Sequence, residues 1–306
     1  MTPRHFLSSG DVSAAEQAVL IERAGELKRL GRDHPRPLEG RCVALIFEKP
    51  STRTRISVEV AVVALGGHPV VLRGDELQLG RGETIQDTAR ILSGYVDCMV
   101  VRTFGQERLG GLAETASVPV INALSDLEHP CQALADLMTI RERFGDLSRL
   151  KLAYLGDGNN VCHSLLLSGA LAGLAQVEAA CPPGYGPEVA IVERARAIGA
   201  ETGTRILISD DPDGACRGAH VLYTDVWASM GREAERAARS AAFARFAVSS
   251  DRLADAAPEA IVMHCLPAHR GEEIAAEVID GPASVVWDQA GNRLHATKAL
   301  LEWVMS

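Results

Sequence analysis

The 306-residue sequence contains no Cys-x-x-Cys pair, and its seven cysteines are odd in number and scattered at Cys42, Cys98, Cys131, Cys162, Cys181, Cys216 and Cys265. That pattern excludes a disulfide framework and a zinc knuckle, and it fits reduced thiols. No apolar run reaches the roughly 20 residues a membrane-spanning helix requires; the longest, residues 165–177, is interrupted by Ser168 and Gln176. The opening MTPRHFLSSGDVS has no basic stretch leading into an apolar one, so no export signal is expected and the expected location is the cytoplasm. Basic residues are outnumbered by acidic ones, with a formal net charge of −9, which argues against a nucleic-acid partner. Pro-rich linkers, low-complexity tracts and internal repeats are missing as well.

What is present is a large supply of small aliphatic residues: 47% of the chain is hydrophobic while only 4% is aromatic. That excludes disorder and allows two domains of ordinary size. Apolar runs at 42–47, 69–72, 98–101 and 118–122 alternate with stretches of helical spacing such as 56–65 and 84–93. The connections are too long for hairpins, so a parallel sheet covered by helices on both faces is expected. Asp11 is expected to cap a first helix that Gly31 stops. Residues 127–144 read as one long helix joining two domains. A second series of strands is expected at 152–155, 177–180, 205–209, 219–224, 260–265 and 284–287, and residues 294–304 read as an amphipathic helix that must bury Leu300, Leu301 and Trp303. The predicted fold class is therefore α/β, two doubly wound parallel-sheet domains over 1–145 and 146–292.

The chemistry-bearing residues fall at the ends of these runs. FEKPSTRTR, residues 47–55, takes an apolar strand into Ser51, Thr52, Arg53, Thr54 and Arg55 at a helix start. Unpaired amides and the positive end of the helix dipole make such a start a seat for phosphate. Arg102 follows the strand DCMVV directly, and His129, Pro130 and Gln132 open the long helix. A guanidinium, an imidazole and an amide so placed can hydrogen-bond a phosphate ester and a polarised carbonyl.

In the second half, LGDGNN at 155–160 offers two readings. Gly156, Gly158 and an acid at Glu178 resemble part of a dinucleotide fingerprint. The third glycine is replaced by Val161, and Asn159 and Asn160 put amides at the turn, which suits a carboxylate or amide ligand better. DVWASMG supplies Asp225 for an amine, and Ser229 and Met230 for a hydroxyl contact and an aliphatic stem. HCLPAHRGEE puts Cys265 at a strand end; His264, Cys265 and His269 lack structural zinc spacing and a fourth ligand, so no metal is expected.

Taken together, STRTR, Arg102, HPCQ at 129–132, GDGNN, DVWASMG, HCLPAHRGEE and DQAGNR at 288–293 resemble the ornithine carbamoyltransferases of the aspartate/ornithine carbamoyltransferase superfamily, in order and over nearly the whole chain. The resemblance implies transfer of a carbamoyl group from carbamoyl phosphate to the δ-amine of L-ornithine, giving citrulline and phosphate without a cofactor, in arginine biosynthesis or a urea-cycle-type step. It implies that the C-terminal helix, 293–306, packs back on the first domain and that the domains close over both substrates. By the same resemblance Ser51, Thr52, Arg53, Thr54 and Arg102 hold the phosphate. Thr54, Arg102, His129 and Gln132 surround the carbamoyl oxygen, and Cys265, Leu266 and Arg293 touch the carbamoyl group from the other side. Asn160, Asp225, Ser229 and Met230 receive ornithine, and Gln78 reaches the phosphate of a neighbouring subunit in a homotrimer. Arg102, His129, Cys265 and Asp225 are the expected catalytic residues. Alternatives are a transferase for putrescine or N-acetylornithine, a nicotinamide-dependent dehydrogenase, and a binding protein without turnover.

Overall fold

CVALIF forms a central strand, β1 (Cys42–Phe47), because six apolar, mostly β-branched or aliphatic residues have nowhere else to bury both faces. The computed structural model describes residues 3–74, 82–227 and 236–306, with the side chains of 236–238 left undescribed. It divides into two compact units, residues 1–138 with 292–306 and residues 139–291.

In the first unit, β1 pairs in parallel with β2 (His68–Arg73) on one side and β3 (Cys98–Arg102) on the other. β4 (Val120–Leu124) completes the order β2-β1-β3-β4 among the described residues. The helices are α1 (Ala14–Leu30), α2 (Thr52–Ala64), α3 (Ile85–Ser93), α4 (Gln106–Thr115) and the start of α5 (Pro130–Phe144). The register places Phe47 opposite Arg102, so the residues following β1 and β3 leave the sheet at the same level. The chain moves from β1 outward to β2 and then back across to β3. That reversal is where an open α/β sheet opens a crevice at its carboxyl edge.

The second unit repeats the design with the order β7-β6-β5-β8-β9, all parallel. Its strands are β5 (Lys151–Leu155), β6 (Gln176–Ala180), β7 (Arg205–Ser209), β8 (Val221–Thr224) and β9 (Ile261–His264). Its helices are α6 (Asn160–Leu171), α7 (Val189–Thr202), α8 (Pro212–Cys216), α9 (Arg236–Phe243), α10 (Ser250–Asp255), α11 (Ala276–Ile279) and the first turns of α12 (Val286–Val304). α6 is buried along every side, as its mostly aliphatic and small residues require, and its one buried histidine, His163, accepts from the Glu188 N–H at 2.9 Å. Leu155, Thr224 and His264 are register partners across β5, β8 and β9, so Gly156, Asp225 and Cys265 emerge side by side. No described helix is long and apolar enough to cross a membrane.

Several local expectations are corrected. Asp11 does not cap α1: Ser13 does, in a capping box with Glu16, while Asp11 closes a separate short turn with Ser8. The long helix begins at Pro130 instead of 127, because residues 125–128 form a tight turn in which Ser125 N–H donates to the Glu128 carbonyl at 2.9 Å. Residues 284–287 are not a strand. Ser284 makes a single bridge to Val262, and α12 starts at Val286, eight residues before the expected 294. From Asn292 onward α12 belongs to the first unit, where Arg23 of α1 donates to Glu302 at 2.6 Å and Arg4 stacks on Trp303. Leu300 and Leu301 are buried, and Trp303 is half-exposed.

Candidate active site

Proline 50 ends the run after β1 and Ser51 caps α2, its Oγ accepting from Thr54 N–H at 3.2 Å. Thr52 and Arg53 are exposed in the first turn, whereas Thr54 is buried. Opposite, a register shift between Val101 and Arg102 in the β3–β4 ladder turns the end of β3. Arg102 itself is 4% exposed, and its carbonyl accepts from Glu48 N–H. Arg293, also buried, spans two of the predicted residues: Nη2 donates to Thr54 Oγ1 at 2.7 Å and Nη1 to Gln132 Oε1 at 2.5 Å. The Gln132 amide nitrogen then donates to Asp136 at 2.8 Å.

His129 is 5% exposed. Burial, then the charges of Arg293, Arg102 and Arg53, hold its pKa well below the ordinary histidine value. At neutral pH it is therefore a neutral imidazole among guanidiniums, able to donate one N–H without adding charge. A tetrahedral intermediate's oxyanion is what such a set of donors suits. Ser51, Thr52, Arg53, Thr54, Arg102, His129, Gln132 and Arg293 are thus all residues of the first unit.

The loops carrying these groups are braced by residues whose contribution no motif indicated. Lys49 pairs with Asp126 and lies 4.3 Å from the centre of the Phe104 ring. Glu48 accepts from Thr103 Oγ1 and from Arg108 Nη1. Each bridge joins segments 50 or more positions apart, so no sequence periodicity could announce it.

In the second unit Asp225 is 6% exposed and both its oxygens are taken. Oδ1 accepts from Val226 N–H at 2.8 Å and from Cys265 Sγ at 3.0 Å, and Oδ2 from Asn159 Nδ2 at 2.8 Å. Asn159 is also the N-cap of α6, its Oδ1 accepting from Val161 and Cys162 amides and from the Tyr154 hydroxyl. Asn160 follows as the first helical residue, half-buried. Leu266 takes a left-handed φ of +59°, which costs a non-glycine residue about 1–2 kcal/mol. The conformation is held by its N–H donating to His264 Nδ1 at 2.8 Å. That bond puts the imidazole proton on Nε2, which faces Glu273 Oε1 at 3.2 Å. Burial alone would raise the Glu273 carboxyl, but the bond from His264 and the His269 amide hold it below its ordinary value, so it is ionised. Asn159, His264 and Glu273 lie inside the motifs GDGNN and HCLPAHRGEE, but the motifs did not announce their supporting bonds, Asn159 to Asp225, His264 to the Leu266 amide and Glu273 to His264.

The dinucleotide reading meets a steric obstacle. A Cβ on Gly158 would lie 2.1 Å from Pro187 N and 2.3 Å from Gly186 C, and the Gly158 N–H already donates to the Tyr185 carbonyl at 2.8 Å. The glycine is needed for close approach of the chain's own backbone, and its N–H is already bonded instead of being directed at a phosphate. Glu178, the candidate ribose acid, is buried against Gln176, Ser209 and Lys151. Gln78, Ser229 and Met230 lie outside the described residues. Of the cysteines, five are buried, and only Cys42 and Cys265 are half-exposed. Asp225, His264 and Cys265 bring ligand-type atoms within 4.8 Å of one another, but the hydrogen bonds above account for them.

Comparison with known proteins gives one consistent result. Residues 4–142 match the model of the aspartate/ornithine carbamoyltransferase carbamoyl-P binding domain, and residues 148–304 match that of the Asp/Orn binding domain. The ornithine carbamoyltransferase of Parafrankia sp. is 59% identical over 308 residues, covering 100% of this chain and 97% of the relative. That of Acidothermus cellulolyticus is 59% identical over 303 residues, covering 99% and 96%. Among solved structures, ornithine carbamoyltransferase from Pyrococcus furiosus superposes with a TM-score of 0.96 at 50% identity, covering 99% of this chain and 97% of that one. The Thermus thermophilus enzyme gives 0.89 at 42% identity, covering 100% of both.

Proposed function

The chain belongs to the aspartate/ornithine carbamoyltransferase family, and from that premise we propose that it transfers the carbamoyl group of carbamoyl phosphate to the δ-amine of L-ornithine. The observation that carries the reading is the cradle in which Arg293 holds Thr54 and Gln132, with buried, neutral His129 in the field of Arg293, Arg102 and Arg53 and the Ser51-capped start of α2 in the same unit. The first-turn amides of α2, with Arg53 and Arg102, receive the phosphate, and Gln78 of a neighbouring subunit is assigned there too. Thr54, His129, Gln132 and Arg293 address the carbamoyl group, and the assignment of Cys265 and Leu266 to the same group belongs to this reading. Asn160, Asp225, Ser229 and Met230 receive ornithine.

The neutral δ-amine attacks the carbamoyl carbon with its lone pair, forming a C–N bond and a tetrahedral oxyanion. Arg102 and His129 stabilise that oxygen; removing one such donor costs on the order of 3 kcal/mol. Collapse breaks the bond to the phosphate oxygen, and the departing phosphate takes the proton lost by the amine. Asp225 and Cys265, joined by the thiol's hydrogen bond, orient the amino-acid substrate, and Cys265 forms no covalent intermediate.

Asp225, a buried carboxylate, and Asn160 together favour a substrate with a free α-amino group and a free α-carboxylate; N-acetylornithine lacks the first and putrescine the second. Citrulline formation with ornithine, putrescine and N-acetylornithine assayed side by side tests the choice: turnover with ornithine alone is expected, and preference for either other amine refutes it. Assembly as a homotrimer in the cytoplasm, serving arginine biosynthesis, is part of the proposal. It is supported by the exposed stripe Ile56, Val60 and Val63 on α2, and light scattering should return three times the chain mass of 32.6 kDa.

A further inference from the structure

We propose that Glu128 is a positioning residue for His129, held in place by a strap made from the chain's own N-terminus. The inference rests on the functional reading above and extends it to residues outside every motif.

Glu128 immediately precedes His129 and is 1% exposed, an unusual place for a carboxylate. Both of its oxygens are claimed by the N-terminal segment: Ser8 Oγ donates to Oε1 at 2.5 Å and Ser9 N–H to Oε2 at 2.8 Å. The segment is itself fixed to the sheet. Phe6 bridges alongside β4, its N–H donating to the Val120 carbonyl at 2.9 Å and its own carbonyl accepting from Asn122 at 2.8 Å. The Leu7 carbonyl accepts from the side chains of Asn122 and Gln106, and Asp11 Oδ2 caps the amides of Leu7 and Ser8.

From the other direction Ser125 closes the turn, accepting from the Glu128 N–H at 3.1 Å and donating to Gln106 Oε1 at 2.6 Å. The His129 carbonyl accepts the first bonds of α5, from Gln132 and Ala133. His129 therefore sits between an anchored Glu128 and an anchored helix start, and the direction in which its imidazole leaves the backbone is set by both. A displacement of about 1 Å at a reacting group can cost on the order of a hundredfold in rate, so a strap some 120 positions away in sequence acts on the chemistry through one side chain.

Glu128→Gln keeps the shape and replaces one acceptor by a donor facing Ser9 N–H or Ser8 Oγ. In the full-length protein it should lower kcat per folded molecule and raise the KM for carbamoyl phosphate, each about tenfold, since His129 addresses the carbamoyl group both before and during reaction, with the KM for ornithine within about twofold of wild type. Ser8→Ala should produce the same split at smaller amplitude, about threefold, and Ser8→Thr, which keeps the hydroxyl, should restore it. A role confined to holding the fold would lower kcat in proportion to the folded fraction and leave both KM values alone, and that result overturns the proposal. If Glu128→Gln does not fold, the Ser8 pair decides. Wild-type protein inactive with ornithine would sink the functional reading instead; active wild type with an unmoved KM in both variants sinks only the strap.

Discussion

Replacing Arg293 by methionine removes one guanidinium and two of the shortest bonds in the cradle while keeping an unbranched stem. Its bonds to Thr54 and Gln132 come from a buried charged group, and each such bond contributes about 1.5–3 kcal/mol net. Thr54 and Gln132 can partly re-pair, so the lower part of the summed range applies. At about 1.4 kcal/mol per factor of ten, kcat/KM for carbamoyl phosphate should fall about 10²- to 10³-fold. The variant carries a second signature. Burial is the largest reason His129 titrates low, and Arg293 is the largest of the three charges that add to it. Removing that charge raises the His129 pKa part of the way toward its ordinary value near 6.5. Because kcat/KM reports the free enzyme, the acid limb of its pH profile should move to higher pH. Steady-state kinetics between pH 5 and about 9, with thermal melts confirming the fold, measure both. A kcat/KM within about fivefold of wild type, or an acid limb that stays or moves lower, refutes the account of this cradle.

Gly158→Ala drives a methyl group into the backbone at Pro187, so denaturant unfolding should show about 2–3 kcal/mol lost and ornithine binding weakened along with it; an unchanged midpoint would remove the close-approach argument. Lys298 is 2% exposed, and burial lowers its pKa, with Glu302 only partly offsetting that. A lysine whose folded pKa lies below the unfolded one contributes full stability only above about pH 10.5 and loses it as pH falls through the folded value. At neutral pH the charge is therefore a cost, and Lys298→Met should raise the melting temperature there; a lower one would mean the ammonium has a compensating role.

Where strands and helices lie was legible because burial on both faces demands unbroken apolar runs, as in CVALIF and CMVV. The exceptions have specific causes. SVVW reads as a strand by composition, yet the bulky β-branched residues open α12, since docking against the sheet outweighs a propensity difference of a few tenths of a kcal/mol. Asp11 and Ser13 both suit a cap, and only the Glu three positions after Ser13 separates them. At the site, the candidate binding residues sat in motifs at strand ends and could be named from the sequence. Those that hold them, Glu273 on His264, Asp126 on Lys49 and Ser8 on Glu128, are joined by geometry across 9, 77 and 120 positions. Spacing in the chain says nothing about such pairs.

Asn159 reads outward in two directions at once, its oxygen starting α6 and its nitrogen steering Asp225. The amide cannot turn over without setting an oxygen against a carboxylate and a nitrogen against helix amides. An aspartate there would serve the helix equally well and confront Asp225 with a second anion at hydrogen-bond distance. The start of a helix and the setting of a buried carboxylate thus hang on a single side chain, and a change that suits one is constrained by the other.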